Sequence, residues 1–396
     1  MSPLPEVVVL GGARTAVGTF GGSLADSPPV ELGARVLREA IARSAIAPDA
    51  VGHVVFGQVI HTEPRDPYLA RVAALEGGLP NSVPALTLNR LCGSGLQAIV
   101  SAAQSILLGD AEVAVAGGAE VMSRAPHATR AIRTGRRMGG VDMTDMLLGA
   151  LQDPFESIHM GVTAENVARK YGIGREEQDA LALESHRRAG RAIAEGRFGE
   201  QILPIEIGSG ARARTFDTDE HVRAEATAGE LGALRAVFVR EEGTVTAGNA
   251  SGINDGAAAL VLASAEAARR HGAEPRARLV SYAHAGVDPA FMGIGPVPAS
   301  RRALERAGLA IDDIDVIEAN EAFAAQALAV TRELGLDPEK VNPNGSGISI
   351  GHPVGATGAI ITVKAIEELH RTGGRYALVT MCIGGGQGIA AVLERL

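Results

Sequence analysis

Cys92 stands in Leu91-Cys92-Gly93-Ser94-Gly95, where an apolar strand (Ala85–Leu88) turns through small residues into an apolar helix. Free backbone N–H groups and the dipole at a helix start stabilise a thiolate, which predicts a lowered pKa and a reactive nucleophile. The same N–H groups can hold the oxyanion that forms when a thiol adds to a carbonyl. A cysteine in an apolar setting is otherwise an inert core residue, so this turn needs partners before it is a site. Gly351-His352-Pro353-Val354-Gly355 offers one: a histidine brought beside the thiol can act as its general base, although as a motif it also fits a surface loop. Met381-Cys382-Ile383-Gly384-Gly385-Gly386-Gln387-Gly388 sets the only other thiol at the head of a glycine run whose backbone can approach an anion closely. Asn320, in Asn320-Glu321-Ala322-Phe323-Ala324 after the apolar pair Val316–Ile317, can hold a water or a carbonyl, or cap a helix.

A rival reading uses the residues after Cys92. Gly93-Ser94-Gly95-Leu96-Gln97-Ala98 fits the short G-x-G-x-x-A dinucleotide pattern of a dehydrogenase. That pattern requires an acidic residue at the tip of the following strand. Here Asp110 and Glu112 precede the strand, so nicotinamide binding is the weaker reading.

The elements that must carry these residues show an internal duplication. At a shift of 263 positions, Ile46–Val51 lies over Leu309–Ile314, and Cys92-Gly93-Ser94-Gly95 lies over Gly355-Ala356-Thr357-Gly358. An apolar helix follows each turn, with Leu96, Ile99, Val100, Ala103, Ile106 and Leu107 in one copy and Ile360, Ile361, Val363 and Ile366 in the other. Each helix ends at a glycine suited to a C-terminal cap, Gly109 or Gly373, and leads to a short strand, Val113–Ala116 or Ala377–Thr380. Strand–helix alternation predicts an α/β fold with mainly parallel sheets covered by helices. In such a duplicated fold the Cys92 and His352 turns face one another. The more polar stretch 122–250, with Arg124, Arg130, Arg133, Arg136 and Arg137, reads as an insertion; its arginines fit solvated surface, a subunit contact or anionic phosphates.

Composition narrows the classes. The 396 residues are 46% hydrophobic and 21% charged, as in a globular protein with a large core, and without tryptophan that core must rest on Ala, Val, Ile and Leu. A net charge of −9 argues against nucleic acid as a partner. Two cysteines cannot build a disulfide framework or a cysteine-rich zinc site, and no metal is expected. No signal peptide precedes Val7–Leu10, and no run of roughly 18 unbroken apolar residues exists, so no membrane span is expected and the chain reads as cytoplasmic. The glycosylation-like Asn249-Ala250-Ser251 and Asn344-Gly345-Ser346 therefore carry little weight.

Assembled, these segments resemble the thiolase family along nearly the whole chain. The resemblance rests on Arg14–Gly18, Leu91–Gly95, Gly117-Gly118-Ala119-Glu120, His159-Met160-Gly161, Gly248–Gly252, Asn320–Ala324, His352–Gly358 and Cys382–Gly388. It implies two similar α/β halves with mixed five-stranded sheets in an α-β-α-β-α arrangement, plus an inserted loop domain. The halves would span 1–121, continued by 251–275, and 276–396, with the insert at 122–250.

The resemblance also implies roles. Cys92 would be acylated by a CoA thioester or 3-ketoacyl-CoA, with His352 activating it. His352 and a water held by Asn320 would stabilise the enolate, and Cys382 would move the α-proton. The N–H groups of Cys92 and Gly384 would form a second oxyanion hole. CoA would contact Leu151, His159, Met160, Arg223, Ala247, Ser251, Met292 and Phe323. Acetyl-CoA, acyl-CoA, 3-ketoacyl-CoA and CoA are substrates and products, and no cofactor is implied. Glu230 stands where some members have a serine near CoA, Gly345-Ser346-Gly347-Ile348-Ser349 replaces a common Gly-Gly-Ala stretch, and Gly93 replaces a serine. That pattern is similar to β-ketothiolases linked to polyhydroxyalkanoate synthesis, and the resemblance to the family implies a homotetramer. Ketoacyl synthases of the same superfamily lack the second cysteine, so Cys382 favours a thiolase. An inactive acyl-CoA-binding relative should have lost one of these groups, and none is lost.

Overall fold

The structure, a computed structural model, describes residues 5–208, 210 and 213–396. The chain begins with β1 (Val7–Arg14), β2 (Gly18–Thr19), α1 (Pro29–Arg43), β3 (His53–Gly57), α2 (Leu69–Glu76), β4 (Ala85–Leu88), α3 (Ser94–Leu108) and β5 (Val113–Val121). A long excursion follows, with β6 (His127–Ala128), β7 (Thr144–Asp145), α4 (Met146–Ala150), α5 (Met160–Tyr171), α6 (Arg175–Ala194), β8 (Ile205–Ile207), β9 (Arg214–Phe216) and α7 (Ala228–Gly232). The chain returns through β10 (Asn254–Ser264) and α8 (Ala265–His271). It ends with β11 (Ala277–Gly286), α9 (Pro296–Ala307), β12 (Val316–Ala319), α10 (Ala324–Leu334), α11 (Thr357–Thr372), β13 (Tyr376–Ile383) and β14 (Gln387–Arg395).

The duplication is visible in the element boundaries. β3 and β12 begin at 53 and 316, α3 and α11 at 94 and 357, β5 and β13 at 113 and 376, and the 3₁₀ turns Pro48–Ala50 and Ile311–Asp313 at 48 and 311, each pair 263 apart. The helices that end at Gly109 and Gly373 do so with left-handed φ of 82° and 75°, as a glycine cap requires.

Beside the separate two-stranded ribbons β6–β7 and β8–β9, ten strands form one continuous sheet in the order β12-β13-β14-β11-β1-β10-β5-β3-β4, with β2 paired to β10. Its two halves meet at β1 and β11 through only two residue pairs, Val8–Arg278 and Val9–Ala277. The first half, read from its edge, runs β4-β3-β5-β10-β1. The second repeats that order as β12-β13-β14-β11, with a single parallel bridge between Ile317 and Val341 in place of a fifth strand. Pairing corrects the mainly parallel sheet expected from strand–helix alternation. β3–β4, β3–β5 and β12–β13 are parallel; β1–β10, β10–β5, β1–β11, β11–β14 and β13–β14 are antiparallel. The cause lies in the connections: β13 and β14 join through the tight Gly384–Gly386 turn, and β10 enters after the long excursion, not from a crossover helix.

β5 and β10 are buried along their whole length, consistent with cover on both faces. α1 lies on β1, β5 and β10, and α9 lies on β11, β13 and β14, forming the two outer layers. α3 and α11 pack on each other between the half-sheets, completing the α-β-α-β-α layering. The stretch Leu91–Leu108 is long and apolar enough to cross a membrane by composition, but here its apolar side chains build the central layer. Asn249 and Asn344, the two glycosylation-like positions, are buried.

The central helices touch at equivalent glycines. A Cβ on Gly95 would lie 2.6 Å from the backbone N of Ala359, and one on Gly358 would lie 2.3 Å from the backbone N of Leu96. Backbone, unlike a side-chain tip, cannot swing aside. Gly358→Ala should therefore cost about 2–3 kcal/mol of stability by overpacking, while Gly149→Ala, where the added methyl meets open space, should cost little. Guanidinium unfolding midpoints compare the two; equal midpoints would contradict the close helix approach. This contact also closes the dinucleotide reading, because the first turn of α11 covers the backbone of Gly95 where a pyrophosphate would have to sit.

The excursion is tied back to β1 by a buried ion pair. Arg14 donates from Nη1 and Nη2 to Asp219 at 2.7 and 2.9 Å, and from Nε to Gln201 at 3.1 Å. Both charged groups are fully buried and paired, as burial of charge requires.

Candidate active site

The Cys92 turn is built by two side chains beside it. Asn89 Oδ1 accepts the N–H of Leu91 at 2.8 Å; Ser94 Oγ accepts the N–H of Arg90 at 2.8 Å and donates to the carbonyl of Leu91 at 2.7 Å. Together they hold Leu91 at φ 47°, a left-handed conformation that a leucine adopts only under such constraint. A Cβ on Gly93 would come within 2.5 Å of Ile383 Cδ1, so the glycine that departs from the family's serine matches the isoleucine facing it.

α3 begins at Ser94, two residues beyond the thiol. The backbone N–H groups of Gly384 and of Cys92 itself favour the ionised form of the Cys92 sulfur. Burial is the larger influence, and with the charge of Glu120 it pushes the thiol above its usual pKa. The expected lowering at a helix start is thus overturned: desolvation outweighs two N–H donors. Cys92 rests as a thiol and needs a base to take its proton.

His352 can supply that base. The hydroxyl of Thr357 donates to the carbonyl of Pro353 at 2.9 Å, so at 2.7 Å it accepts from Nδ1–H of His352. This fixes the tautomer and leaves a lone pair on Nε2. Burial pushes the imidazole down to about 4, which keeps it neutral at physiological pH. The backbone N–H of His352 donates to Asn254 Oδ1 at 2.9 Å, and a Cβ on Gly351 (φ 116°) would lie 2.5 Å from the same amide's carbon. Asn320 reaches Nε2 with its amide nitrogen at 3.4 Å. Its backbone N–H is held by the carbonyl of Thr380 at 3.0 Å. α10 begins at Ala324, so Asn320 caps no helix, and its buried Oδ1 has no hydrogen-bond partner among the described residues. A Cβ on Gly347, within the stretch that departs from Gly-Gly-Ala, would lie 2.8 Å from that oxygen.

Cys382 is the last residue but one of β13, opposite Gly388 of β14, and is 1% exposed. Burial, and the charge of Cys92 whenever that sulfur is ionised, push its thiol far above the ordinary range. Cys92, His352, Cys382 and Gly384 all line one cavity of about 440 Å³, together with Leu151, His159, Met160, Ala247, Ser251, Met292 and Phe323. The two thiols sit on different apolar walls. Cys92 packs against Ile60, Met122, Leu147 and Val354; Cys382 packs with Met160, Met292, Ala322 and Phe323. His159 accepts the N–H of Gly161 at Nδ1 (3.0 Å), capping α5, and stacks on Phe238 at 4.6 Å between centroids. Phe238 meets Phe323 edge-on at 6.2 Å, closing an aromatic wall. This arrangement can acylate a thiol, hold an oxyanion beside it and move a proton at a second thiol.

The family model described as thiolase, N-terminal domain, matches residues 7–266, and that described as thiolase, C-terminal domain, matches residues 273–395. The chain belongs to the thiolase family. It is similar to the beta-ketothiolase BktB of Cupriavidus necator, at 68% identity over 99% of each chain. Among solved structures it resembles the Bacillus anthracis acetyl-CoA acetyltransferase (TM-score 0.97, 48% identity, 100% of each chain). It also resembles human mitochondrial 3-ketoacyl-CoA thiolase in complex with CoA (TM-score 0.96, 44% identity, 99% of this chain and 98% of the other).

Two positions expected near CoA in this thiolase are not among the residues that line the cavity. Arg223 is exposed and absent from the cavity wall; its backbone N–H donates to His186. Glu230 is exposed and occupied in a capping box with Thr227 at the start of α7. Other lining residues carried no sequence signal, among them Phe238, His221 and Met122. Asn89, Ser94 and Thr357 were also missed, although the Asn and Ser flanking a reactive turn could have been found as local side-chain-to-backbone donors and acceptors. Among the described residues no three His, Cys, Asp or Glu side chains are grouped to hold a metal ion.

Proposed function

We propose that this thiolase joins acetyl-CoA to a second acetyl-CoA or short acyl-CoA such as propionyl-CoA, reversibly, through an acyl group on Cys92. The observation that carries the reading is that Cys92, His352, Cys382 and Gly384 all line one cavity.

The proton inventory then closes. Nε2 of His352 takes the Cys92 proton as sulfur adds to the thioester carbonyl, whose oxygen moves into the two N–H groups. The adduct collapses to acyl-Cys92, and the departing CoA thiolate takes the proton of Cys382. A Cys382 thiolate and a His352 imidazolium remain. The second acetyl-CoA loses its α-proton to Cys382 while its oxygen accepts from Nε2–H and from a water on Asn320. The enolate attacks acyl-Cys92, the C–S bond breaks, and His352 returns its proton to the Cys92 thiolate.

The CoA chain runs past Phe238, His159 and Phe323, and the cluster of Ile60, Met122, Leu147 and Val354 receives the acyl tail. No cofactor enters this scheme. A cytoplasmic homotetramer is the assembly we infer, supported by the apolar side chains that the 127–155 segment exposes, Met138 at 86% and Phe155 at 72%. A place in polyhydroxyalkanoate synthesis accords with the sequence pattern at Gly93 and 345–349. Incubation with acetyl-CoA or propionyl-CoA, followed by peptide mass spectrometry, should find the acyl group on Cys92. A modification elsewhere, or none, would falsify the mechanism.

A further inference from the structure

Glu120 is a buried carboxylate for which the proposed chemistry has no use. It ends the Gly117-Gly118-Ala119-Glu120 run of β5 and is 0% exposed. Oε2 accepts the N–H of Val59 at 2.9 Å and that of Gly355 at 2.9 Å, while Oε1 accepts the N–H of Ile60 at 3.1 Å. One side chain thus joins the 58–60 loop of the first half to the 353–356 turn of the second. The fit is close: a Cβ on Gly355 would lie 2.4 Å from Glu120 Oε2 and 3.0 Å from Gln58 Cα, and one on Gly118 would lie 2.2 Å from the carbonyl oxygen of Gly355.

That turn aims His352. The N–H groups of Ala356 and Thr357 return to the carbonyl of Pro353, and the Thr357 hydroxyl fixes Nδ1 of the imidazole. On its other side, the 58–60 loop brings Val59 and Ile60 against Cys92 and Val354. The charge of Glu120 is also felt at the Cys92 sulfur, where it opposes the thiolate.

We propose that Glu120 is a positioning residue that clamps the His352 turn to the Cys92 half and sets the charge environment of the nucleophile. The inference rests on the reading of Cys92 as the acylated residue and His352 as its base. The titratable groups around the carboxyl are Asp66, on the 58–66 segment, and Cys92. Burial pushes Glu120 up to about 8, so its charge opposes the Cys92 thiolate in the alkaline range in which that thiol ionises unaided, while at neutral pH its hold on the three N–H groups is its main effect.

Glu120→Gln removes the charge and turns an amide N–H₂ toward backbone donors. Glu120→Asp keeps the charge but cannot reach all three N–H groups. For Glu120→Gln, the pH midpoint of Cys92 alkylation by iodoacetamide should fall by about half a unit or more, and kcat should drop roughly ten-fold or more, with KM for acetyl-CoA little changed. Glu120→Asp should lose kcat similarly while the midpoint stays. An unmoved midpoint in Glu120→Gln, or a loss confined to KM, overturns the proposal. Should the variants not fold, hydrogen exchange in the wild-type chain decides: the amides of Val59, Ile60 and Gly355 must be protected together, and fast exchange at Gly355 overturns the clamp. Alkylation needs no CoA substrate, so a failure of the acyl-transfer reading is seen separately, in the acyl-adduct map.

Discussion

Cys92→Ala should lower turnover by a factor of roughly 10⁵ or more, with both half-reactions lost together. Alanine leaves the two N–H groups of Cys92 and Gly384 in place, so the oxyanion site survives without its nucleophile. His352 and Cys382 remain but have no acyl-enzyme to serve, which is why the loss should not be shared between kcat and KM. CoA should still bind, because the Phe238–His159–Phe323 wall is untouched. In the wild-type enzyme, single-turnover acylation should hold its rate on lowering pH from 7 and fall only as pH approaches about 4. His352 must be neutral to accept the thiol proton, and burial keeps it so until that range. The sign is set by the direction of that shift: a depressed imidazole loses its base function only well below the usual histidine midpoint. Stopped-flow release of CoA with acetyl-CoA as the only substrate measures both. A Cys92→Ala protein that still releases a burst of CoA would mean that another group carries the acyl chain.

What could be read from the sequence was the chemistry that sits in short contiguous motifs. Cys92, His352 and Cys382 each announce themselves by residue type beside small residues, and the 263-residue repeat placed the first two on facing turns. The duplication was legible because helices α3 and α11 keep the same start relative to their strands. Long-range geometry was not. Phe238 stacks on His159 across 79 positions of chain, and nothing near either residue encodes the other. Glu120 ends an apolar strand, where a lone acid reads as a solvated strand tip; only the backbone N–H groups of Val59, Ile60 and Gly355 reveal its task. Arg223 is exposed and absent from the cavity wall, while His221, two residues before it, lines that wall; sequence position does not resolve which of the two does so. The thiol pKa was misjudged for a quantitative reason. Two backbone N–H donors and a helix start favour the thiolate, but desolvation of the half-buried sulfur opposes it more strongly. Strand–helix alternation alone pointed to a mainly parallel sheet, because it does not disclose the Gly384–Gly386 hairpin; the resemblance to the family carried the mixed sheet.

Cys382→Ser should separate the two half-reactions. In the proposed proton inventory the Cys382 thiol serves twice, giving its proton to the departing CoA thiolate and then taking the α-proton of the second acetyl-CoA. The first task has a substitute, because the His352 imidazolium can return its proton to CoA. The second has none, because a serine hydroxyl is far too weak an acid to leave an alkoxide in a 1% exposed position among Met160, Met292 and Phe323. Acylation of Cys92 should therefore stay within roughly ten-fold of wild type, while condensation falls by about 10²–10⁴, the usual worth of a positioned acid–base group. Deuterium exchange separates this from a mere packing defect. In D₂O the wild-type enzyme should wash solvent deuterium into the methyl group of acetyl-CoA, and Cys382→Ser should not, even with Cys92 fully acetylated. Serine is nearly isosteric with cysteine and can still cap the end of β13 opposite Gly388, so the fold should be retained. Continued exchange at the wild-type rate would move the α-proton step to another base, and the imidazole of His352 would then have to perform both transfers.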